Sequence, residues 1–210
     1  FKARWNDDDS SNTEFALILF AGLMVFNMFA ECCNRAPLLI TSNVVYVKRV
    51  IFPLEILPII SLGSSLFHLL VSFIVWLLFY SVFVGAPPLT SVLLPVVVLP
   101  LILMTLGFSW ILASLGVYLR DVAQVVGVVT LVLMYLSPIF YPVSMMPEQY
   151  RPFMSISPLT STVEQARDVL MWGKGLDWSS WSISMLVGIL LGWLGLAWFQ
   201  KTRRGFADVL

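Results

Sequence analysis

Few side chains in the apolar body of this chain could hold or move a proton, and His68 is the most central of them. An ionisable group inside an apolar run is a functional-site hypothesis by default, here a proton relay. The competing reading is a neutral imidazole hydrogen-bonded within a helix bundle. The acid in the same stretch is Glu55, about 20 Å away along a helix axis at 1.5 Å per residue. Glu31 and Glu55 fall at the ends of apolar runs, near Arg35 and Lys48. A charge at a bilayer centre costs about 3 kcal/mol, so these ends suit interfacial carboxylates, with a gate or partner contact as the alternative. Cys32 and Cys33 are adjacent and cannot bridge each other without strain. No Cys-x-x-Cys or His/Cys cluster occurs, so no metal site is expected. Asp7-Asp8-Asp9 reads as a solvated loop rather than the acidic cluster of a membrane-embedded enzyme. No Gly-x-x-x-x-Gly-Lys-Ser/Thr, Gly-x-Ser-x-Gly or His-Glu-x-x-His pattern is present. No catalytic residue is therefore assigned, and an ATP-driven activity would need a separate ATPase.

The elements that must position these groups are membrane helices. The 210 residues are 59% hydrophobic and 11% charged, with zero formal net charge and mean hydropathy +0.91. A soluble domain carries about 25% charged residues, so the class is an all-α, polytopic membrane bundle, with no nucleic-acid partner implied. Five spans are expected: Phe15–Ala30, Ile56–Val84, Val92–Leu119, Val122–Met146 and Trp178–Gln200. The first gives only about 24 Å and must borrow flanking residues. Pro95 and Pro100 are tolerable where neighbours satisfy the freed carbonyls. Ser137-Pro138 and Tyr141-Pro142 are expected to end or bend the fourth. Between the last two spans, Leu159, Val163, Ala166 and Leu170 predict an amphipathic helix in or dipping into the interface. Ser161-x-x-Glu164 reads as its capping box and Gly173 as its stop. Gly188, Gly192 and Gly195 offer a small-residue face for packing within or between subunits.

Lys48-Arg49 lies between two apolar runs and reads as a cytoplasmic turn. The basic ends at Arg35, Arg120, Lys201, Arg203 and Arg204 then fall inside. Lys2, Arg4, Arg151, Arg167 and Lys174 fall outside, where Trp5, Trp172, Trp178 and Trp181 form an interfacial belt. In the turn, Ile40, Val44, Val47 and Ile51 share one helical face. Among the aromatics in the spans, Phe26, Phe29, Tyr135 and Phe140 are candidates to line a path and stack on sugar faces.

Three ordered patches carry a resemblance: Asn43, Tyr46, Lys48, Arg49, Phe52 and Pro53; then Tyr118, Arg120 and Asp121; then Ser137, Pro138, Tyr141 and Pro142. Together they resemble the permease subunits of type-2 ABC exporters, closest to those for O-antigen and other surface polysaccharides. The resemblance implies one permease domain over residues 1–210, from a six-span family. The chain opens on Phe1 and reads as a fragment whose preceding interfacial helix and first span lie outside it. It implies a homodimer with two ABC ATPase subunits, ATP and Mg being used by the partner and no cofactor by this chain. It implies that about residues 38–52 couple to the ATPase, and that re-entrant helices near Ser137 to Gly173 shape an outer gate. There Ser157-Pro158-Leu159 departs from the family's Asn-Pro-Leu, and Arg167 matches a basic position in the helix that follows. The cargo implied is a lipid-linked glycan, moved outward across a bacterial inner membrane, with the C-terminus cytoplasmic. Teichoic acid, capsule or drug export by the same machinery is the near alternative. A proton- or ion-coupled secondary transporter built on His68 is the distant one.

Overall fold

The computed structural model describes residues 12–47, 52–140 and 157–209. Among the described residues every regular element is helical. Helix α1 runs Asn12–Arg35, followed by 3-10 turns Ala36–Leu38 and Thr41–Asn43 and the single turn α2, Val44–Val47. Then come α3 (Ile56–Phe83), α4 (Leu94–Tyr118) after a 3-10 turn at Leu89–Leu93, and α5 (Val122–Leu136). Helix α6 (Pro158–Met171), α7 (Trp178–Thr202), a 3-10 turn at Arg203–Gly205 and α8 (Phe206–Val209) complete the chain.

Four segments are long and apolar enough to cross a membrane: Thr13–Leu38, Ile56–Phe83, Leu89–Tyr118 and Trp178–Gly205. Helix α1 reaches its length as expected, by taking in residues on both sides of Phe15–Ala30. The expected span Val122–Met146 is a shorter apolar helix instead, stopping at Leu136. Its 15 residues give about 22 Å, below the roughly 30 Å of a bilayer core. Pro138 explains the stop: the residue before proline avoids the α region, and Ser137 adopts ψ 145°.

The tightest helix pair is α4 against α7. A Cβ added to Gly107 would strike the Leu191 carbonyl, one on Gly195 the Gly107 carbonyl, and one on Gly188 the Pro100 carbonyl. The glycine face of the last span therefore packs within the subunit. Pro100 has no N–H to give the Val96 carbonyl four residues back. Trp181 Nε1 from α7 supplies that bond at 2.9 Å. On the other side, buried Trp76 of α3 donates Nε1 to the Leu17 carbonyl of α1 at 3.1 Å. The main core joins α1, α3, α4, α5 and α6 around residues such as Val25, Met28, Trp76, Leu101 and Val163. A second core of Ile40, Leu57, Trp110, Val117, Phe199 and Phe206 closes the end where α4 and α7 finish.

Candidate transport site

The basic end of the bundle is built around residues 36–55. Pro37 is the second residue of the 3-10 turn after α1 and sits so close to Gly116 of α4 that a Cβ there would strike the Pro37 carbonyl. Ile40 is fully buried beneath it. Asn43 turns its amide inward, donating to the Leu39 carbonyl at 2.9 Å. Leu38, Ser42 and Val45 stay exposed. Phe52 packs against the second core, and Pro53 is exposed with its carbonyl accepting from Ile56 N at 3.1 Å. Glu55 then pairs with Arg203 beyond α7, while its carbonyl accepts from Trp110 Nε1 at 3.1 Å. The backbone at Tyr46 belongs to α2; Lys48, Arg49 and Ile51 lie outside the described residues. Over Thr41–Val47 the stretch is a 3-10 turn followed by one α-turn.

Tyr118 ends α4 and locks that end to α7. Its hydroxyl donates to the Thr202 carbonyl at 3.0 Å, and its ring meets Phe206 edge-on at 6.0 Å. Arg120 and Asp121 are exposed in the tight connection to α5, where the Asp121 carbonyl accepts from Gln124 N at 3.1 Å. An apolar cleft of about 650 Å³ opens beside them, lined by Phe29, Phe108, Val126 and Leu133 among others.

At the tryptophan end, α6 enters the protein rather than resting on its surface. The expected apolar face is buried, but so are Thr160, Ser161, Thr162, Gln165 and Arg167 on the remaining sides. Ser161 is inside the helix; the N-cap is Ser157, with no side-chain capping bond, and Pro158 opens the first turn. Gly173, at φ +61°, ends it as expected, since that conformation favours glycine. Arg167, expected among the outer loop charges, has no exposed surface. It donates to the Pro138 and Ile139 carbonyls at 2.5 Å each and to the Ile18 carbonyl of α1 at 3.3 Å. Ser137 and Pro138, both buried, thus form the turn that Arg167 grips. Tyr141 and Pro142 lie outside the described residues.

The last turn of α1 holds an exposed polar group that runs of sequence do not reveal. Glu31 of α1 binds Arg35 at 2.7 Å and His68 Nδ1 of α3 at 2.9 Å. Arg35 Nη1 also donates to Ser64 Oγ at 3.3 Å. His68 therefore has an acidic partner, supplied by a neighbouring helix rather than by Glu55. The missed signal was topological: the turn after α1 folds α3 back alongside it. Asn34 Oδ1 accepts from Thr130 of α5 at 3.1 Å. Phe26 and Phe29 are core residues, with Phe29 edge-on to Phe108 at 6.2 Å. Tyr135 is exposed and stacks on half-buried Phe140 at 5.7 Å. Among the described residues no three His, Cys, Asp or Glu side chains gather as a metal site.

Comparison with known proteins places this arrangement. The model of the family described as ABC-2 type transporter matches residues 2–171. Two proteins of Klebsiella pneumoniae, each named O-antigen export system permease protein RfbA, are 27% identical over 197 residues. That covers 93% of this chain and 76% of each relative. With its apolar helices and the family model spanning most of its length, this multi-pass membrane chain belongs to the ABC-2 type transporter family.

Proposed function

We propose that the chain is the permease subunit of an ATP-driven exporter that moves a lipid-linked, O-antigen-type polysaccharide outward across a bacterial inner membrane. It works as a homodimer with two ATPase subunits, which use ATP and Mg, and its C-terminus is cytoplasmic. The observation that carries the reading is the construction of residues 36–47 and 52–55. The Pro37–Gly116 contact, buried Ile40 and the Glu55–Arg203 pair fix this segment to the bundle, while Ser42 and Val45 remain exposed. A surface held that firmly can receive a push from a soluble partner and pass it to the membrane helices. The names of the two relatives support the glycan as cargo.

Deleting the gene and analysing surface glycans tests the proposal. Loss of surface polysaccharide with build-up of a lipid-linked intermediate inside is expected; unchanged glycan and no intermediate overturns it. The Glu31–His68 pair favours one second reading, proton-coupled transport. Export that persists without ATP in vesicles and stops with an uncoupler would select that reading.

A further inference from the structure

The exposed surface of α1 differs in kind from that of its neighbours. Helices α3, α5 and α7 expose large apolar side chains such as Phe67, Leu70, Val82, Val128, Leu186 and Trp193, as lipid-facing helices do. Among the described side chains of α1, the exposed ones are Thr13, Ala16, Asn27, Asn34 and Arg35. Asn27 lies near the middle of the helix, and its amide makes no hydrogen bond among the described residues. An amide in hydrocarbon without a partner costs about 2–7 kcal/mol, so this face does not meet lipid tails. Intramembrane polar groups face a water-filled cavity or another protein.

The groups on this face share one chemistry. Asn27, Glu31 and Arg35 follow one another at four-residue steps, so they line one side of the helix. His68 and Ser64 flank them from α3, and Thr130 flanks Asn34 from α5. The guanidinium of Arg35 is already opposed by Glu31 at 2.7 Å. A free anion would meet that carboxylate as well. The carboxylate accepts, the guanidinium donates, and the amides and imidazole do both, so together the strip offers donors and acceptors side by side, which suits vicinal hydroxyls.

We propose that the α1 face bearing Asn27, Glu31, Asn34 and Arg35, with His68 beside it, is a binding strip for neutral, hydroxyl-rich ligands: the sugar rings of the cargo. This rests on the transport reading above. A glycan lying along α1 meets a polar group at nearly every turn from Asn27 to Arg35. No single site is deep enough to stop it, which is what passage requires.

Cysteine accessibility in native membranes tests the strip. Cys32 and Cys33 are buried, so the wild-type transporter sets the background. Asn27→Cys and Asn34→Cys are compared with Leu70→Cys and Leu186→Cys on lipid-type faces, using a charged methanethiosulfonate that needs a hydrated thiolate. The expected result is labelling about tenfold faster at Asn27→Cys than at Leu70→Cys. Labelling should slow in membranes that hold the glycan relative to membranes of a strain blocked in its synthesis. Labelling without such protection overturns the strip, as does an inert Asn27→Cys. Asn27→Cys forming a disulfide with its counterpart in a second copy also overturns it, since the face is then an interface. The transport reading fails separately: unchanged surface glycan on deletion sinks it whatever the labelling rates, whereas lost glycan with an inert Asn27→Cys sinks the strip alone.

Discussion

Arg167 fills the space that a side chain on Gly22 would need: a Cβ there would lie 2.5 Å from Arg167 Nη2. The only residue type without a Cβ thus faces the longest cation, across two helices. The guanidinium that fits into this gap ties α6 to the Ser137–Ile139 turn and to α1. Gly22→Val should displace it and lower stability by about 2 kcal/mol, as overpacking does. Arg167→Ala should lower it by about 3 kcal/mol by orphaning buried carbonyls. Thermal unfolding of purified protein in detergent checks both, and an unshifted midpoint for either would refute the fit.

The Trp181 bond to Val96 repairs a defect made by Pro100. Trp181→Phe should cost about 1 kcal/mol, because it leaves a half-buried carbonyl unpaired. Pro100→Ala restores the missing N–H, so Trp181→Phe should cost less in that background. Equal costs in the two backgrounds, measured as a double-mutant cycle, would show that the bond does not serve this purpose.

Glycines here separate into two kinds. Gly195→Ala should disrupt the α4–α7 contact and reduce the yield of folded protein, because the clash is with backbone rather than a flexible side chain. Gly63→Ala, with nothing within 4 Å of the added Cβ, should be neutral or stabilising by up to about 1 kcal/mol. Size-exclusion profiles and unfolding midpoints of the two variants would distinguish them.

Asp177 caps α7, accepting from Ser179 N at 3.1 Å and from the Ser179 and Ser180 hydroxyls at 2.6 Å each. The hydroxyl of Ser179, then that of Ser180, holds its carboxyl down to about 2. A depressed acid stabilises the fold fully above its unfolded value of about 3.9 and loses that contribution as pH falls towards 2. Asp177→Ala should cost about 1 kcal/mol at pH 7, with the difference from wild type shrinking below pH 4. A difference that stays constant down to pH 2.5 would refute the cap's role.

Lys48→Glu with Arg49→Glu should leave membrane insertion intact and impair coupling to the ATPase. Co-purification and stimulated ATP hydrolysis equal to wild type would count against it, once orientation of the variant has been checked.

Apolar runs made the helices legible from sequence because lipid forces every backbone group to be satisfied within the segment. Pro138 and Gly173 were legible for a similar reason, since each restricts the backbone where it stands. Arg167 was misplaced because a charge in a polar-looking loop segment is normally solvated. The three-dimensional meeting of Gly22, the Ile18 carbonyl and the Ser137 turn helps to make a buried position tolerable. The Glu31–His68 pair was hidden for another reason: 37 residues separate the partners, and helical periodicity within one span cannot report a partner on the next. The glycines of α7 were visible as a packing face, but which helix they met depended on Gly107 and the Pro100 carbonyl on α4.

Helix α1 carries Ile18 and Gly22 towards one end and runs at the other, through Arg35, directly into the turn at Ala36–Leu38. It is 24 residues long, a rod of about 36 Å. A rigid rod that tilts about its middle moves its two ends in opposite directions. Rocking of α1 by a push on Pro37 would therefore reach the seat of Arg167 through one continuous piece, with no relay of side chains between helices.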